Sequence, residues 1–157
     1  MNNNYINIYN NLVNLTRNKK LYENFSTQDT FSDRIIFFMF HFAFFLKVFK
    51  KNNKKKILQE IYDQIFKYLE LSVREMGYGD VTINKKMKNY LNTFYSILDQ
   101  INDWEIAPDS HKTKVLSDFL NIDRKSSNLI DYFDNYIINL SNNTLNFYIK
   151  GVVKDKF

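Results

Sequence analysis

Apolar residues recur at steps of three and four along most of this 157-residue chain, the spacing that places side chains on one face of an α-helix. The pattern is clearest over residues 55–75, where charged residues occupy the opposite face. The first three predicted helices cover residues 4–16, 31–49 and 55–75. The fourth is capped by Thr82 and ends near Asp103, and the fifth has Pro108 in its first turn. The last predicted helix begins at Ser126 or Ser127, is interrupted at Asn142-Asn143 and ends at Gly151. We therefore predict an all-α fold, a bundle of about six helices in which residues 1–157 form one domain.

The segment 31–49 differs from the other predicted helices because its apolar residues leave no continuous polar face. Thr30 or Ser32 is the expected cap, with Asp33 in the first turn, where the helix dipole favours an anion. A helix that is apolar all round lies either at the centre of a bundle or in contact with lipid. His41 interrupts the apolar run, and a bilayer span needs about 20 apolar residues. We predict a central bundle helix, with a membrane-contacting helix as the alternative.

Composition narrows the class of protein. Hydrophobic residues make up 45% and aromatic residues 17%, which excludes a disordered chain. The absence of cysteine excludes a disulfide framework, a thiol nucleophile and a cysteine-ligated zinc or iron–sulfur site. The start, Met1-Asn2-Asn3-Asn4, lacks the features of a secretory signal, so we expect the chain to stay in the compartment where it is made.

Positive charge is the main feature of the polar residues, with a net charge of +5. It is most concentrated at residues 50–56, where five of seven residues are lysine. Mutual repulsion predicts that this run is a solvated turn between helices. The alternative is a contact for anionic lipid or for RNA phosphates.

The stretch Arg74-Glu75-Met76-Gly77-Tyr78-Gly79-Asp80 carries two of the three glycines between two predicted helices. It follows a helix and lacks a third glycine and a Gly-Lys-Ser/Thr sequence, so it does not predict a nucleotide site. We expect Gly77 and Gly79 to provide backbone conformations or close approaches that a side chain would forbid. Such a rigid corner, with exposed backbone and mixed charge, suits either partner docking or a plain connection between helices.

Candidate catalytic and metal-binding side chains give only weak patterns. His41 and His111 are far apart in the chain and form no ligand pair, so we expect His41 to be a hydrogen-bonded core residue. Carboxylates at Glu75 and Asp80 stand near cations, an arrangement more typical of structural ion pairs than of acid–base catalysis. We therefore predict no catalytic residue, no cofactor and no metal, and a protein that is not an enzyme.

The same stretch resembles the ubiquinol–cytochrome c chaperone family, the assembly factors of respiratory complex III. Family members share the Arg-Glu-Met-Gly-x-Gly-Asp core at 74–80, then a basic helix and a Phe-Tyr pair. Upstream, an Asp-Thr pair, an arginine and a histidine match in order and spacing. The resemblance covers approximately residues 20–98. The matching residues are Asp29-Thr30, Arg34, His41, Arg74, Glu75, Gly77, Gly79, Asp80, Lys85, Lys86, Lys88 and Phe94-Tyr95.

The resemblance implies a non-enzymatic chaperone that binds newly made cytochrome b and passes it towards complex III. It implies contacts with the ribosome exit region or an anionic membrane surface, a second small assembly factor, and no DNA. The expected place is the cytoplasm, peripheral at the inner face of the inner membrane, or the mitochondrial matrix in a eukaryote. The alternative function is a peripheral membrane- or RNA-binding adaptor without a cytochrome b client. It would use the lysine run at 50–56 and the aromatic-rich helix at 31–49.

Overall fold

The computed structural model describes residues 4–23, 31–52, 54–120, 122 and 127–151. The Asp29-Thr30 motif and Ser126 lie outside these ranges. The described residues form α1 (Ile6–Thr16), α2 (Phe31–Lys50), α3 (Lys55–Arg74), α4 (Asp80–Gln100), α5 (Asp109–Phe119), α6 (Ser127–Ser141) and α7 (Leu145–Lys150), with short 3₁₀ helices at Lys19–Tyr22 and Trp104–Ile106. The all-α prediction is confirmed, and the seventh helix results from the predicted break at Asn142-Asn143.

Helix α2 is the centre of the bundle. Eleven of its twenty residues are buried, and they point in every direction from the helix axis. Phe42 stacks on Phe94 of α4 at 5.4 Å between ring centroids, while Phe44 meets Trp104 at 5.1 Å. The aromatic residues that suggested contact with lipid therefore contact other helices instead. Among the described helices, none is both long and apolar enough to cross a membrane.

Helix α3 runs antiparallel to both α2 and α4. For α2, Tyr9 of α1 shows this, because its ring contacts Phe38 and its hydroxyl lies 2.6 Å from the Ser72 hydroxyl near the end of α3. The start of α2 thus lies level with the end of α3. For α4, the ring of Tyr62 in the first half of α3 contacts Phe94 in the second half of α4. A 20-residue helix is about 30 Å long, so the lysine run before α3 and the glycine corner after it are about 30 Å apart. We call these the basic end and the corner end.

The C-terminal helices close the other side of α2. The buried indole of Trp104 donates a hydrogen bond to Asp134 of α6 (2.8 Å), and Lys112 of α5 lies 3.3 Å from the same carboxylate oxygen. Lys112 also lies over the Trp104 ring at 5.3 Å. One carboxylate therefore joins α5, α6 and the 3₁₀ helix that follows α4.

The first helix packs against the last one. The Asn7 amide donates to the Ile149 carbonyl oxygen at 3.0 Å, and Gly151 follows with a left-handed φ of +77°. A Cβ on Gly151 would collide with the Asn7 side chain, so both the backbone and the packing require glycine there. The predicted helix end at Gly151 is confirmed.

Three residues expected at helix starts, Thr82, Ser32 and Pro108, lie at other positions than predicted. Helix α4 begins at Asp80 with Gly79 as its N-cap, so Thr82 lies inside the helix and does not cap it. The reason is that Asp80 occupies the first turn, where a carboxylate is favoured by the helix dipole. Helix α2 begins at Phe31, as predicted, so of its two expected caps Ser32 lies inside the helix and Thr30 lies outside the described residues. Pro108 is the N-cap of α5, one position before the first helical residue.

Candidate functional site

The glycine corner connects α3 to α4 through a tight turn. Gly77 has a φ of +91°, and its N–H donates to the Arg74 carbonyl oxygen at 3.0 Å, which ends α3 as predicted. Gly79 has an ordinary φ of −73°, and a Cβ there would meet no atom within 4 Å. The prediction of a special backbone or a close approach is therefore correct for the conformation of Gly77 and wrong for Gly79.

The charged side chains of the corner pair with one another. The Arg74 guanidinium lies 2.6 Å from the Asp80 carboxylate and 3.7 Å from Glu70, and the bond to Asp80 raises the pKa of Arg74 above its usual value. Lys86 of α4 lies over the Tyr78 ring at 4.7 Å. These contacts tie the turn to both helices. Of the two carboxylates expected in structural ion pairs, Asp80 forms one with Arg74, and Glu75 is exposed beside it.

Apolar side chains are exposed around the same turn. Val81 is 80% exposed and Met76 47%, with Tyr78 and Leu71 close to 40%. We call these four residues the corner surface. Sequence reasoning missed Leu71 and Val81; the available signal was that neither falls on the apolar stripe of its own helix. Exposed apolar groups concentrated at one turn are typical of an interaction site.

Other predicted site residues lie at varying distances from the corner. Lys85 and Lys88 are exposed on α4, within its first turns. Tyr95 is 56% exposed further along α4, where its hydroxyl accepts a hydrogen bond from Tyr62 at 2.9 Å. Fifteen residues of helix place it about 22 Å from Asp80. Arg34 is exposed in the first turn of α2, which faces the corner end.

His41 is separated from this surface by burial. Its Nδ1 lies 2.6 Å from the Phe37 carbonyl oxygen and its Nε2 lies 2.7 Å from the Tyr132 hydroxyl. The Tyr136 hydroxyl donates to the His41 carbonyl oxygen. Burial lowers the pKa of His41 to about 4, so the ring is neutral near pH 7. The prediction of a hydrogen-bonded core histidine is confirmed, and His41 positions α6 against α2.

The buried rings of α2 fill the core of the bundle and so do not line an open groove. Open depressions of about 270 and 470 Å³ lie near the end of α2. The second is lined by Lys47, Lys50, Lys51, Asn102, Asp103, Glu105 and Ile106. Within the described ranges, no three His, Asp or Glu side chains are grouped to hold a metal ion.

Comparison with known proteins gives one informative result. Neither the curated proteins nor the solved structures contain a significant match to the chain. The family model described as ubiquinol–cytochrome C chaperone matches residues 23–121. The match extends beyond the span expected from the motifs and takes in the 3₁₀ helix at Trp104–Ile106 and α5, while α6 and α7 lie outside it. Since it covers well over half of the 157 residues, the chain belongs to the ubiquinol–cytochrome c chaperone family, which assists the assembly of respiratory complex III.

Proposed function

We propose that this protein binds newly made cytochrome b during complex III assembly and that the corner surface is where this client docks. Family membership supports the chaperone role and a client within complex III assembly. The observation that supports the site is the exposure of Val81, Met76, Tyr78 and Leu71 at one turn. Recognition by docking requires no chemical step, in agreement with a chaperone that is not an enzyme.

The chemistry of the corner fits a membrane-protein client. A transmembrane segment that has not yet been inserted exposes apolar side chains, and burying apolar surface against the corner surface removes both from water. The adjacent ion pair of Arg74 and Asp80 and the exposed Lys85 suit the polar residues that flank such segments. Apolar contact thus supplies affinity, while the flanking charges orient the client.

We place the protein at the inner face of the inner membrane, or in the mitochondrial matrix of a eukaryote, close to the ribosome exit region. Cytochrome b is a membrane protein, so a chaperone for its new chain acts where that chain emerges. A second small assembly factor is the expected co-partner, and the first turn of α2 with Arg34 is a candidate contact because it faces the corner end.

Deletion tests the function. A clean deletion should lower cytochrome b and complex III while the other respiratory complexes persist, measured by haem spectra and native gels. Expression of the wild-type chain from a second locus should restore both. Unchanged complex III in the deletion strain would exclude the proposed role.

Substitution tests the site. Burial of a valine or methionine side chain contributes about 1.5–3 kcal/mol, so Val81→Ser and Met76→Ser should each lower cytochrome b capture about tenfold. Ile138→Ser is a matched control, because Ile138 is 57% exposed on α6. Capture is measured by crosslinking in cells and quantification of cytochrome b. Equal capture by the Val81, Met76 and Ile138 variants would show that the corner is only a connection between helices.

The alternative adaptor without a cytochrome b client loses one of its two supports. It required the aromatic helix to face lipid or RNA, and α2 is buried in the bundle. The lysine run remains, because its described lysines are all exposed. A strain whose complex III survives the deletion would favour this alternative.

A further inference from the structure

The basic end carries positive charge in a position that the local helix disfavours. Lys54 is the N-cap of α3 and Lys55 and Lys56 begin its first turn, which contains no acidic residue and no side-chain cap. The partial positive charge of a helix N-terminus repels cations. Lys50 and Lys51, also exposed, lie at the end of α2 immediately before this turn. An external anion would offset the repulsion among all five lysines.

Nearby carboxylates leave this charge largely uncompensated. Glu105 pairs with Lys47; burial opposes its ionisation, but the hydrogen bond from Lys47 lowers its pKa. Asp103, like Lys47 and Glu105, lines the open depression of about 470 Å³ near the end of α2, which we call the cleft. Among the described residues, the six lysines of this end therefore outnumber the nearby carboxylates, which are Asp103, Glu105 and, one turn into α3, Glu60, and Lys47 already has Glu105 as its partner.

An exposed apolar side chain stands beside the lysines. Ile106 is 85% exposed, the highest value among the large apolar residues of the described chain, and it lines one cleft with Lys50 and Lys51. Ile57, in the first turn of α3, is 36% exposed. Basic side chains combined with a protruding aliphatic one resemble the composition of surfaces that bind the membrane interface.

We propose that the basic end docks on an anionic bilayer surface, with the lysines at the lipid phosphates and Ile106 among the upper acyl carbons. The five exposed lysines supply charge complementarity, and Ile106 supplies apolar insertion. A bilayer fits better than RNA because the cleft beside Ile106 is lined by no aromatic ring on which a base would stack. An exposed apolar side chain such as Ile106 stabilises binding when it inserts among lipid acyl chains. Beside an RNA phosphate backbone it contributes little.

The docking face is independent of the proposed client site. It lies at the opposite end of α3, about 30 Å from the corner surface. A chaperone bound to lipid by its basic end would leave the corner end accessible. The inference therefore goes beyond cytochrome b binding and can be tested without any client.

The experiment measures co-sedimentation of the full chain with vesicles of phosphatidylcholine plus phosphatidylglycerol, and with vesicles of phosphatidylcholine alone. Wild type should bind only the anionic vesicles, with affinity that falls as salt rises. One lysine near such a surface contributes about fivefold, so Lys55→Gln with Lys56→Gln should lower binding about 25-fold. The matched control, Lys67→Gln with Lys114→Gln, removes the same charge from exposed positions elsewhere. Equal losses in the two double variants would overturn the assignment of this face.

Ile106→Ser separates lipid from RNA. It should lower vesicle binding about tenfold, because an inserted aliphatic side chain is lost. Val81→Ser is its control, since Val81 is 80% exposed at the corner end and should leave vesicle binding unchanged. Tighter binding to a single-stranded RNA oligonucleotide than to anionic vesicles, with no effect of Ile106→Ser on either, would overturn the proposal. Loss of vesicle binding with intact cytochrome b capture separates the two proposals.

Discussion

Asp134 offers the sharpest test of how the bundle is held together. Its carboxylate accepts the Trp104 indole N–H at 2.8 Å and the Lys112 ammonium at 3.3 Å. Trp104 is fully buried and Lys112 is only 7% exposed, so neither donor has ready access to water as a replacement partner. Asp134→Ala removes the acceptor of both donors, and it removes little buried apolar surface.

The cost follows from these two donors. An unsatisfied buried donor costs about 1–3 kcal/mol, and an unpaired buried charge costs about 3–5 kcal/mol. The Asp134 side chain is 38% exposed, so water screens part of the ion pair. We expect Asp134→Ala to lower the free energy of unfolding by about 3 kcal/mol, or roughly 6–12 °C in Tm for a chain of this length. Asp134→Asn keeps an acceptor for Trp104, so its cost should be about half as large.

Urea denaturation followed by circular dichroism measures both values. Lys112→Met combined with Asp134→Asn should recover about 1 kcal/mol relative to the sum of the single variants, because the buried charge is then removed with its partner. An Asp134→Ala variant within about 0.5 kcal/mol of wild type would refute the reasoning, since the two hydrogen bonds would then contribute nothing net.

Two further predictions concern the buried histidine and the backbone conformation of the two corner glycines. The pKa of His41 is about 4 in the folded protein and near 6.5 in the unfolded chain. Its contribution to the free energy of unfolding is therefore fully present above pH 6.5 and is lost as the pH falls towards 4. We expect the free energy of unfolding to drop by about 2 kcal/mol between pH 7 and pH 5. His41→Gln should remove that part of the urea-midpoint pH profile, and an identical profile would contradict it. Gly77→Ser should cost about 1–2 kcal/mol because its φ is +91°, whereas Gly79→Ser, at an ordinary N-cap conformation, should cost nothing or stabilise slightly. Equal melting curves for the two serine variants would show that the left-handed turn carries no strain.

The secondary structure was predictable wherever the apolar pattern has one clear face. Helix α3 is the best case, because charged residues separate its buried stripe from solvent and Gly77 marks its end. Helix α2 was predictable as a helix, but its own pattern was compatible with lipid. Whether α2 lies inside the bundle or contacts lipid is determined by α6, a helix distant in the chain. Tyr132 and Tyr136 of α6 form hydrogen bonds with His41 of α2.

The candidate site was predictable only in part. The Arg74–Asp80 pair follows from charges close in the chain on either side of a short turn. For Val81 the sequence held only one signal, its place off the apolar stripe of α4, because its exposure also depends on which neighbouring helices cover the first turn of α4. The start of α4 was also misplaced, since Gly79 takes the N-cap conformation that was expected of Thr82. Local propensity identifies suitable caps but does not choose among adjacent ones.

The contact between α1 and α7 has a consequence for how the chain acquires its fold during synthesis. Asn7 is made 142 residues before Ile149, whose carbonyl oxygen is its partner. Contacts so distant in sequence require closure of a long loop and form late. Until they form, the apolar side of α1 that packs against α7 stays open to water. A protein that belongs to a chaperone family thus completes this part of its own core only after α7 has been made.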